Sequence, residues 1–374
     1  MKGSDMQILI TGSDGFIGRN LIVELQNKGF KRLLLCNRET TLERLKDYTD
    51  ECDVVFHLAG INRPKEEEEY HRGNVEFTRI LVDLLKDNPK SPMVLFSSSV
   101  QAGKDNAYGK SKRQAEQILK EYAHERSALV IIYRLPNVFG KWCKPNYNSV
   151  VSTFCYQIAH NEDIRIDRKE ARITLAYIDD ILRAIIGQLV SSRASGVVYQ
   201  EIPELYHLTV GELADIIKKF KDFRYNLEIP NLSNILEKKL YATYLSYLPE
   251  NEFKYPLKMN LDQRGSFTEF LRSKEKGQIS INVTKPGITK GNHWHHTKVE
   301  KFLVVKGKAL IRLRHMITGK MIECSVSEAD FEVVDIPVGY THNITNVGQE
   351  DLVTVMWTNE MFDSENPDTY YEDV

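Results

Sequence analysis

The sequence predicts two domains of different class, an α/β domain built on a parallel sheet and then an all-β domain. Over the first ~200 residues, short apolar runs alternate with helical patterns, which indicates right-handed crossovers between parallel strands. After Pro256, short alternating runs are separated by Gly, Pro and Asn, a pattern typical of a sandwich or barrel. A chain of 374 residues fits two domains better than one. We therefore divide it into residues 1–250 and 251–374.

The predicted elements follow this division. In the first domain we expect strands at Gln7 to Thr11, Arg32 to Cys36, Asp53 to Leu58, Met93 to Phe96 and Leu129 to Tyr133. Helices are expected at Ile17 to Lys28, Val75 to Lys86 and Ser111 to Arg126, with two connecting helical stretches at Val210 to Phe223 and Leu232 to Leu248. The later strands are expected at Gln278 to Val283, Glu300 to Val305, Ala309 to His315, Glu332 to Ile336 and Leu352 to Trp357.

Composition and charge exclude several classes of protein. A formal net charge of −2 provides no overall field that would attract nucleic acid or an anionic membrane. The longest apolar runs, such as Leu33 to Cys36, are strand-sized and far shorter than the ~20 residues of a membrane span. No secretory signal is recognised, and the five scattered cysteines include no CxxC pair. We therefore expect a cytoplasmic protein with no membrane insertion and no nucleic-acid partner.

The first strand ends in a glycine-rich turn that suits a pyrophosphate. Gly12 permits a tight turn, Gly15 lets the backbone approach the ligand, and Gly18 lets the helix pack on the strand. A pyrophosphate would then sit on the free amides at the helix start, beside Phe16 and Ile17. The strand before and the helix after this turn are the context that a dinucleotide-binding loop requires.

The second strand should end beside the adenosine ribose, where an acidic residue would select NAD. The strand instead ends in Cys36, Asn37 and Arg38, with no acid at its tip. The Arg38 guanidinium can pair in a bidentate manner with a 2′-phosphate. The sequence therefore favours NADPH.

A second chemical constellation follows the fourth strand. Ser97, Ser98 and Ser99 end that strand, and Tyr108 and Lys112 lie four residues apart on one face of the next helix. A lysine ammonium can lower the pKa of the tyrosine, which can then pass a proton to a carbonyl oxygen held by a serine. We expect Ser99 to be that serine, with Ser98 as the alternative.

These motifs together resemble the extended short-chain dehydrogenase/reductase family. The resemblance implies a Rossmann-type doubly wound sheet, with Ser99, Tyr108 and Lys112 as catalytic triad. The matching stretches are Thr11 to Gly18, Asp53 to Gly60, Gly73 to Val75, Ser97 to Ser99, Tyr108 to Lys112, Arg134 to Gly140 and Tyr177 to Asp180.

The same resemblance implies the ligand contacts. His57 to Gly60 would line the cofactor, so Leu58, Ala59 and Gly60 join Lys112 as cofactor-binding residues. Asn137 would lie near the nucleotide-sugar entrance, and Arg172 would contact the diphosphate. Residues 141–156 would hold the sugar nucleotide.

A histidine cluster marks the second domain. His293 and His295 share one face of a strand because they lie two residues apart, and Glu300 can return from the next strand. His342 follows a Pro-x-Gly turn downstream. Three His and one Glu that converge inside a barrel suit zinc, or another divalent metal such as Ni, Fe or Mn.

This cluster resembles the paired motifs of the cupin family, which implies a double-stranded β-helix or jelly-roll barrel. Only Phe331 departs from the pattern, since it stands where a glycine is usual. Asp262 to Glu269 is similar to a motif of cupin-type sugar 3-epimerases. The base of such a reaction stays open among His295, His296, His315 and Tyr340.

The whole chain, in this domain order, resembles bifunctional enzymes of capsular polysaccharide synthesis. The resemblance implies a UDP-2-acetamido-2,6-dideoxy-4-hexulose as substrate, inverted at C3 by the cupin and reduced at C4 with NADPH. The product would be UDP-N-acetyl-6-deoxy-L-talosamine, on the route to N-acetyl-L-fucosamine for surface polysaccharide. A homodimer is expected from the same resemblance.

Two alternatives stay open. The first half could be an NAD-dependent 4-epimerase or dehydratase, although Val100 and Gln101 stand where a dehydratase carries an acidic pair. The cupin could also be a non-catalytic module for stability or dimerisation, because four protein ligands can fill a closed tetrahedral zinc site.

Overall fold

The computed structural model describes residues 5–190, 195–253, 255–365 and 367–374. The described residues form two compact units. The first comprises those within Met1–Ile217 and Lys239–Leu248, and the second those within Lys218–Lys238 and Pro249–Val374. None of the helices in the described part of the chain combines the length and apolar character that crossing a bilayer requires.

A six-stranded parallel sheet forms the centre of the first unit, in the order β2-β1-β3-β4-β5-β8. Its strands are rich in Val, Ile, Leu and Phe because a parallel sheet is covered on both faces. Their bounds are β1 Gln7–Thr11, β2 Arg32–Cys36, β3 Val54–His57, β4 Met93–Ser99, β5 Leu129–Leu135 and β8 Gly196–Tyr199.

Helices cover both faces of this sheet. Successive strand residues point to opposite faces, so Leu9 packs in one apolar core while Ile8 and Ile10 pack in the other. The helices of this region are α1 Phe16–Asn27, α2 Leu42–Glu51, α3 Glu68–Tyr70, α4 Phe77–Lys86, α5 Ala107–Arg126, α6 Val150–Ala159 and α7 Ile178–Ile186. A π-helical turn at His71–Glu76 separates α3 from α4.

The first unit also contains a three-stranded sheet with the strand order β6-β7-β9. Its strands are β6 Asn137–Phe139, β7 Arg172–Tyr177 and β9 Tyr206–Thr209, with β6 parallel and β9 antiparallel to β7. Two helices follow, α8 Val210–Asn226 and α9 Ile235–Leu245.

The second unit contains two antiparallel sheets. One has the order β10-β11-β12-β19-β14-β17 and the other β16-β15-β18-β13-β20. An apolar core that includes Phe302, Ile311 and Ile344 draws on strands of both sheets. The strands are β10 Met259–Asp262, β11 Gly265–Ser273, β12 Gly277–Thr284, β13 Thr289–Trp294, β14 Glu300–Lys306, β15 Lys308–His315, β16 Met321–Ser327, β17 Val333–Ile336, β18 Tyr340–Asn346, β19 Leu352–Thr358 and β20 Tyr370–Tyr371.

Two segments share the outer edge of β11. The strand β10 pairs with its first part, from Gly265 to Thr268. Further along, the backbone N–H of Arg272 donates to Leu227 O (2.7 Å), and Arg272 O accepts the N–H of Ile229 (3.0 Å). Residues 227–229, which precede β10 in the chain, thus pair with the part of the β11 edge that β10 does not cover.

The predicted fold class is confirmed, with a parallel α/β sheet first and antiparallel sheets after it. Predicted strands agree with β1 to β5 within a few residues, and so do the predicted helices with α1, α4 and α5. Helix α2 was not predicted, because its sequence is mostly polar and only Leu45 and Thr49 are buried in it. Helices α6 and α7 and several strands were also not predicted, among them β11 and β18, which carries His342.

Candidate active sites

The glycine-rich turn between β1 and α1 is built so that no side chain fits in it. Gly12 has a φ of +70°, and a Cβ there would lie 2.8 Å from the backbone of Ala59. A Cβ on Gly18 would lie 2.3 Å from Gly12 O. Helix α1 begins at Phe16 without a side-chain cap on Gly15, so its first N–H groups are free to bind an anion.

The tip of β2 carries one exposed cation. Arg38 is exposed and makes no ion pair with the residues that the structure describes. Its neighbour Asn37 donates from Nδ2 to Asp14 Oδ2 (2.9 Å), which brings a carboxylate of the glycine-rich turn to the same tip. The turn itself is fixed to β2 because Ser13 donates from both N and Oγ to Cys36 O, each at 3.2 Å.

His57 connects the ends of three elements by hydrogen bonds. Thr78 donates its hydroxyl to Asn74 O (2.6 Å), so it must accept from His57 Nε2 (2.9 Å), and Nδ1 then accepts from Thr11 (2.8 Å). Thr11 in turn accepts the N–H of Ala59 (3.2 Å). Burial lowers the pKa of His57 to about 3, with a further contribution from the nearby Lys112 charge. The ring is therefore neutral and fully used in structural hydrogen bonds.

The three serines at the end of β4 have different partners. Ser97 donates to His57 O (3.3 Å), and Ser98 donates to the buried carboxylate of Glu116. Ser99 accepts the N–H of Gln101 (3.2 Å) and is hydrogen-bonded to the side chain of Tyr108. Ser99 is therefore the serine that lies beside the tyrosine, while Ser98 belongs to a structural network.

Tyr108 and Lys112 project from the first turns of α5. Burial raises the pKa of Tyr108, and the hydrogen bond with Ser99 opposes that rise. Lys112 is almost fully buried and donates from Nζ to Ser97 O (3.0 Å). Burial lowers the pKa of Lys112 to about 8, against the effect of the Glu116 carboxylate. A Cβ on Gly60 would lie 3.0 Å from Lys112 Nζ, so the glycine leaves room for the ammonium.

Glu116 is the centre of a buried hydrogen-bond network next to the serines of β4. The side chain of Glu116 is 2% exposed and accepts from Arg134 Nε (2.9 Å) and Nη2 (2.7 Å). The same carboxylate also accepts from Tyr199 OH (2.8 Å) and Ser98. Glu116 thus connects α5 with β4, β5 and β8 at the level of the triad.

The second unit brings the four predicted metal ligands together. His293 in β13 pairs in register with His342 in β18, and one ligand atom from each of His293, His295, Glu300 and His342 lies within 4.8 Å of the others. Glu300 Oε2 lies 3.3 Å from His295 Nε2 and 2.9 Å from His342 Nε2. All but His293 are fully buried.

The chemistry of these donors fits a divalent cation such as zinc. Both ring nitrogens of His342 are buried without a hydrogen-bond partner in the described residues, because its contact with Glu300 lacks hydrogen-bond geometry. Burial lowers the pKa of His293 to about 4, so it is neutral as a metal ligand must be. Burial would raise the pKa of Glu300, but its contacts with His295 and His342 hold it well below the usual range. Three imidazoles and one carboxylate are a zinc donor set.

A cavity of about 650 Å³ opens onto these ligands inside the second unit. Its wall includes His293, His295, Glu300 and His342, so the candidate metal ligands face the cavity. The wall also contains side chains of both charges from β10 to β14 and from the end of β19. These are Asp262, Arg264, Glu269, Arg272, Lys290, Lys298 and Glu360.

Comparison with known proteins places both units in one family. Residues 8–199 match the NAD dependent epimerase/dehydratase family, and residues 260–370 match the polysaccharide biosynthesis C-terminal domain. A UDP-2-acetamido-2,6-beta-L-arabino-hexul-4-ose reductase of Pseudomonas aeruginosa is 42% identical over 98% of both chains. The crystal structure of the capsular polysaccharide assembling protein CapF from Staphylococcus aureus is 50% identical with a TM-score of 0.91, covering 99% of this chain and 100% of that one. The chain belongs to the CapF family.

A second CapF structure, with the inhibitor 3-isopropenyl-tropolone, is 47% identical with a TM-score of 0.86 and covers 99% of this chain and 100% of that one. The resemblance seen in the sequence is thereby confirmed for the whole chain. The matched regions contain every residue that the sequence analysis assigned to a site.

Two predicted substrate residues lie on the small sheet of this CapF-family chain. Asn137 is exposed at the start of β6 and donates to Thr174 O (3.2 Å). Arg172 is exposed at the start of β7. The structure gives neither residue a contact with Ser99, Tyr108 or Lys112. Their assignment to the substrate stays a prediction.

The four candidates for the cupin base differ in their surroundings. Of these, His295 alone lines the cavity, and it is one of the four candidate metal ligands. His296 packs edge-on against Trp294, with ring centroids 4.5 Å apart. His315 packs edge-on against Tyr340, with ring centroids 4.9 Å apart, and accepts two backbone N–H groups of the next turn.

Two residues near Tyr108, Tyr70 and Arg63, were not identified from the sequence, whereas Tyr147 lies within the segment 141–156 that is predicted to hold the sugar nucleotide. The ring of Tyr70 lies 5.6 Å from the ring of Tyr108, and the hydroxyls of Tyr70 and Tyr147 add to the rise of its pKa. Arg63 donates to Tyr147 O. Arg63 and Tyr147 follow β3 and β6, and loops after the carboxyl ends of strands are where α/β sheets bind ligands. That position was the available signal.

Proposed function

We propose that this protein is a bifunctional nucleotide-sugar enzyme that inverts C3 and reduces C4 of a UDP-2-acetamido-2,6-dideoxy-4-hexulose. The product would be UDP-N-acetyl-6-deoxy-L-talosamine for surface polysaccharide. The observation that carries the proposal is the presence of both sites in one CapF-family chain. The Ser99–Tyr108 pair with buried Lys112 lies in the first unit, and a three-His, one-Glu cluster opens onto a cavity in the second.

The first unit would perform the reduction. A bound NADPH would supply the hydride that reaches C4. Tyr108 would donate its hydroxyl proton to the C4 oxygen, so the ketone becomes an alcohol, and Ser99 would hold that oxygen by its own hydrogen bond. The buried ammonium of Lys112 would stabilise the tyrosinate that remains and contact the nicotinamide ribose. Gly12, Gly15 and Gly18 would accept the pyrophosphate against the uncapped start of α1.

The preference for NADPH would come from Arg38. Its exposed guanidinium has no acidic partner among the described residues and can bind a 2′-phosphate. Replacement by Ser should raise the KM for NADPH by at least about 10-fold and leave the KM for NADH unchanged. Arg32→Ser at the other end of β2 is the matched control. Equal effects on both cofactors would place the selectivity elsewhere.

The second unit would perform the C3 inversion. The 4-ketone acidifies the C3 proton, so a base can remove it and a proton can return to the other face. A divalent cation held by His293, His295, Glu300 and His342 would stabilise negative charge that develops on the substrate. The charged side chains that line the cavity would surround the sugar.

The two half-reactions can be measured in one experiment. The protein is incubated with the UDP-4-keto-6-deoxy-N-acetylhexosamine in deuterated water, with and without NADPH, and followed by NMR and nicotinamide absorbance. Deuterium at C3 without NADPH, and NADPH oxidation once it is added, would support the proposal. NADPH oxidation without C3 exchange would leave the cupin non-catalytic. No NADPH oxidation would overturn the reductase assignment for this sugar.

Variants of each site serve as controls for the other. Tyr108→Phe should abolish NADPH oxidation and retain C3 exchange, while Glu300→Gln, supplied with the C3-inverted ketone, should oxidise NADPH but catalyse no C3 exchange. A loss of both activities in either variant would contradict the assignment of one reaction to each unit. A tightly bound NAD with reversible C4 inversion and no net oxidation would instead favour a 4-epimerase.

A further inference from the structure

The last eight residues of the chain contact β13 and β18, which carry His293 and His342, and the turn that carries His295. β20 pairs with β13 through His293↔Tyr371, and the N–H of Glu372 donates to Asn292 O (3.0 Å). Thr341, next to His342, donates its hydroxyl to Glu372 O. The segment Pro367–Val374 therefore closes over the ligand-bearing ends of β13 and β18.

Asp368 is the most heavily bonded residue of this segment. Its carboxylate accepts the backbone N–H groups of His296 (2.9 Å), Thr297 (2.7 Å) and Lys298 (3.0 Å), as well as the Thr297 hydroxyl (2.9 Å). Four donors from three consecutive residues fix the turn that joins β13 to β14. That turn connects His295 to Glu300, so Asp368 sets the spacing between two of the ligands.

The main chain of the same residue reaches a ligand directly. The carbonyl oxygen of Asp368 can only accept, so the contact with His295 Nδ1 requires that Nδ1 carry the proton. The lone pair of His295 is then on Nε2, the nitrogen that faces Glu300 at 3.3 Å. His342 lacks such a bond, since both of its ring nitrogens are without partners in the described residues. His295 thus has a fixed tautomer through the carboxyl-terminal segment.

We infer that Asp368 is a positioning residue of the metal site and that Pro367–Val374 is the segment that retains the bound cation. The inference rests on the metal site of the proposed function and deepens it. Bonds that orient a ligand and fix its tautomer typically account for about 10- to 100-fold in metal affinity. Removal of the Asp368 carboxylate frees both the turn and the carbonyl, so the affinity should fall by that factor.

The test compares full-length Asp368→Ala and Asp368→Asn with the wild type. Zinc affinity is measured by competition with a chromophoric chelator, and the d–d spectrum of the Co²⁺-loaded protein reports ligand geometry. Asp330→Ala is the matched control, because among the described residues the Asp330 carboxylate accepts only from Ser327 (2.7 Å), and Asp330 does not line the cavity. Asp368→Asn keeps one acceptor oxygen and retains a measurable variant if the alanine variant does not fold.

We expect Asp368→Ala to bind zinc about 10- to 100-fold more weakly, with an altered Co²⁺ spectrum, Asp368→Asn to be intermediate, and Asp330→Ala to equal the wild type. The melting temperature of the metal-free protein separates orientation from general stability. If Asp368→Ala lowers the melting temperature equally with and without metal and leaves the zinc affinity unchanged, the inference is overturned while the metal site stands. A wild type that binds neither zinc nor Co²⁺ would overturn the metal site itself, and the inference with it.

Discussion

Replacement of Glu116 tests whether the buried hydrogen-bond network around this residue stabilises the first unit. Glu116→Ala removes the acceptor of four hydrogen bonds, from Ser98, Tyr199 and two nitrogens of Arg134. Breaking a buried ion pair typically costs 3–5 kcal/mol because a charge is left without a partner. The Arg134 side chain is 39% exposed, so water can solvate its guanidinium again. We therefore expect the free energy of unfolding of the first unit to fall by about 3 kcal/mol, at the low end of that range.

The assay is urea unfolding followed by circular dichroism and fitted with separate transitions, since the chain forms two units. Glu116→Gln keeps the shape and one acceptor oxygen and should lose only about 1–2 kcal/mol. Glu121→Gln is the control on the exposed face of the same helix and should leave the transition unchanged. Because Ser98 precedes Ser99, Glu116→Ala should also lower kcat and leave KM nearly unchanged.

A double-mutant cycle with Arg134→Met isolates the pair. The two single changes should be non-additive, because each removes the same interaction. If Glu116→Ala lowers the free energy of unfolding by less than about 1 kcal/mol, or if the cycle is additive, the network contributes no more than an exposed pair does. The reasoning from burial would then be refuted.

Three further predictions concern the same unit. Gly18→Ala should abolish NADPH binding in a fluorescence titration, because its Cβ would lie 2.3 Å from a backbone oxygen, while Gly103→Ala, with no atom within 4 Å, should bind normally. Ser99→Ala should lower kcat for reduction by about 10- to 100-fold, whereas Ser98→Ala should chiefly lower stability in urea. The unfolded chain protonates His57 below its ordinary pKa of 6.5, but the folded protein protonates it only near 3. Its contribution to stability is thus complete above pH 6.5 and is lost as the pH falls toward 3, by up to about 1.4 kcal/mol per pH unit in urea titrations, and His57→Gln should flatten that slope.

Each of these has a clear opposite outcome. Normal cofactor binding by Gly18→Ala would mean that the turn can move aside. A larger catalytic loss in Ser98→Ala than in Ser99→Ala would exchange the roles of the two serines. An unchanged pH slope in His57→Gln would assign the acid sensitivity to other groups, of which His293 is the first candidate because burial lowers its pKa as well.

The sequence revealed the parts of this fold whose cause is local. Runs such as Gln7–Thr11 and Arg32–Cys36 are strands because their apolar residues need burial on both faces of a parallel sheet. Gly12 and Gly18 were identifiable because backbone geometry at a close turn leaves room only for glycine. The His and Glu spacing of the second unit was readable from the sequence because alternate residues of one strand share a face.

The parts that the sequence left open depend on contacts between distant segments. The sequence does not show that Ser98 turns to Glu116 while Ser99 turns to Tyr108, because that difference depends on where α5 packs against β4. Asp368 carries no motif, yet it bonds to a turn about 70 residues earlier. Helix α2 was missed because its mostly polar sequence buries few residues, so its position is set by packing rather than by periodicity.

The pairing of Arg272 with Leu227 and Ile229 has a practical consequence for fragments of this protein. A recombinant cupin that starts at residue 251 would lack those partners, and the outer edge of β11 would present unpaired N–H and C=O groups beyond β10. Exposed strand edges of this kind recruit other chains and promote aggregation. A fragment that keeps residues 218–238, joined by a short linker to residue 249, would preserve the covered edge and is the better starting point for crystallisation of that half.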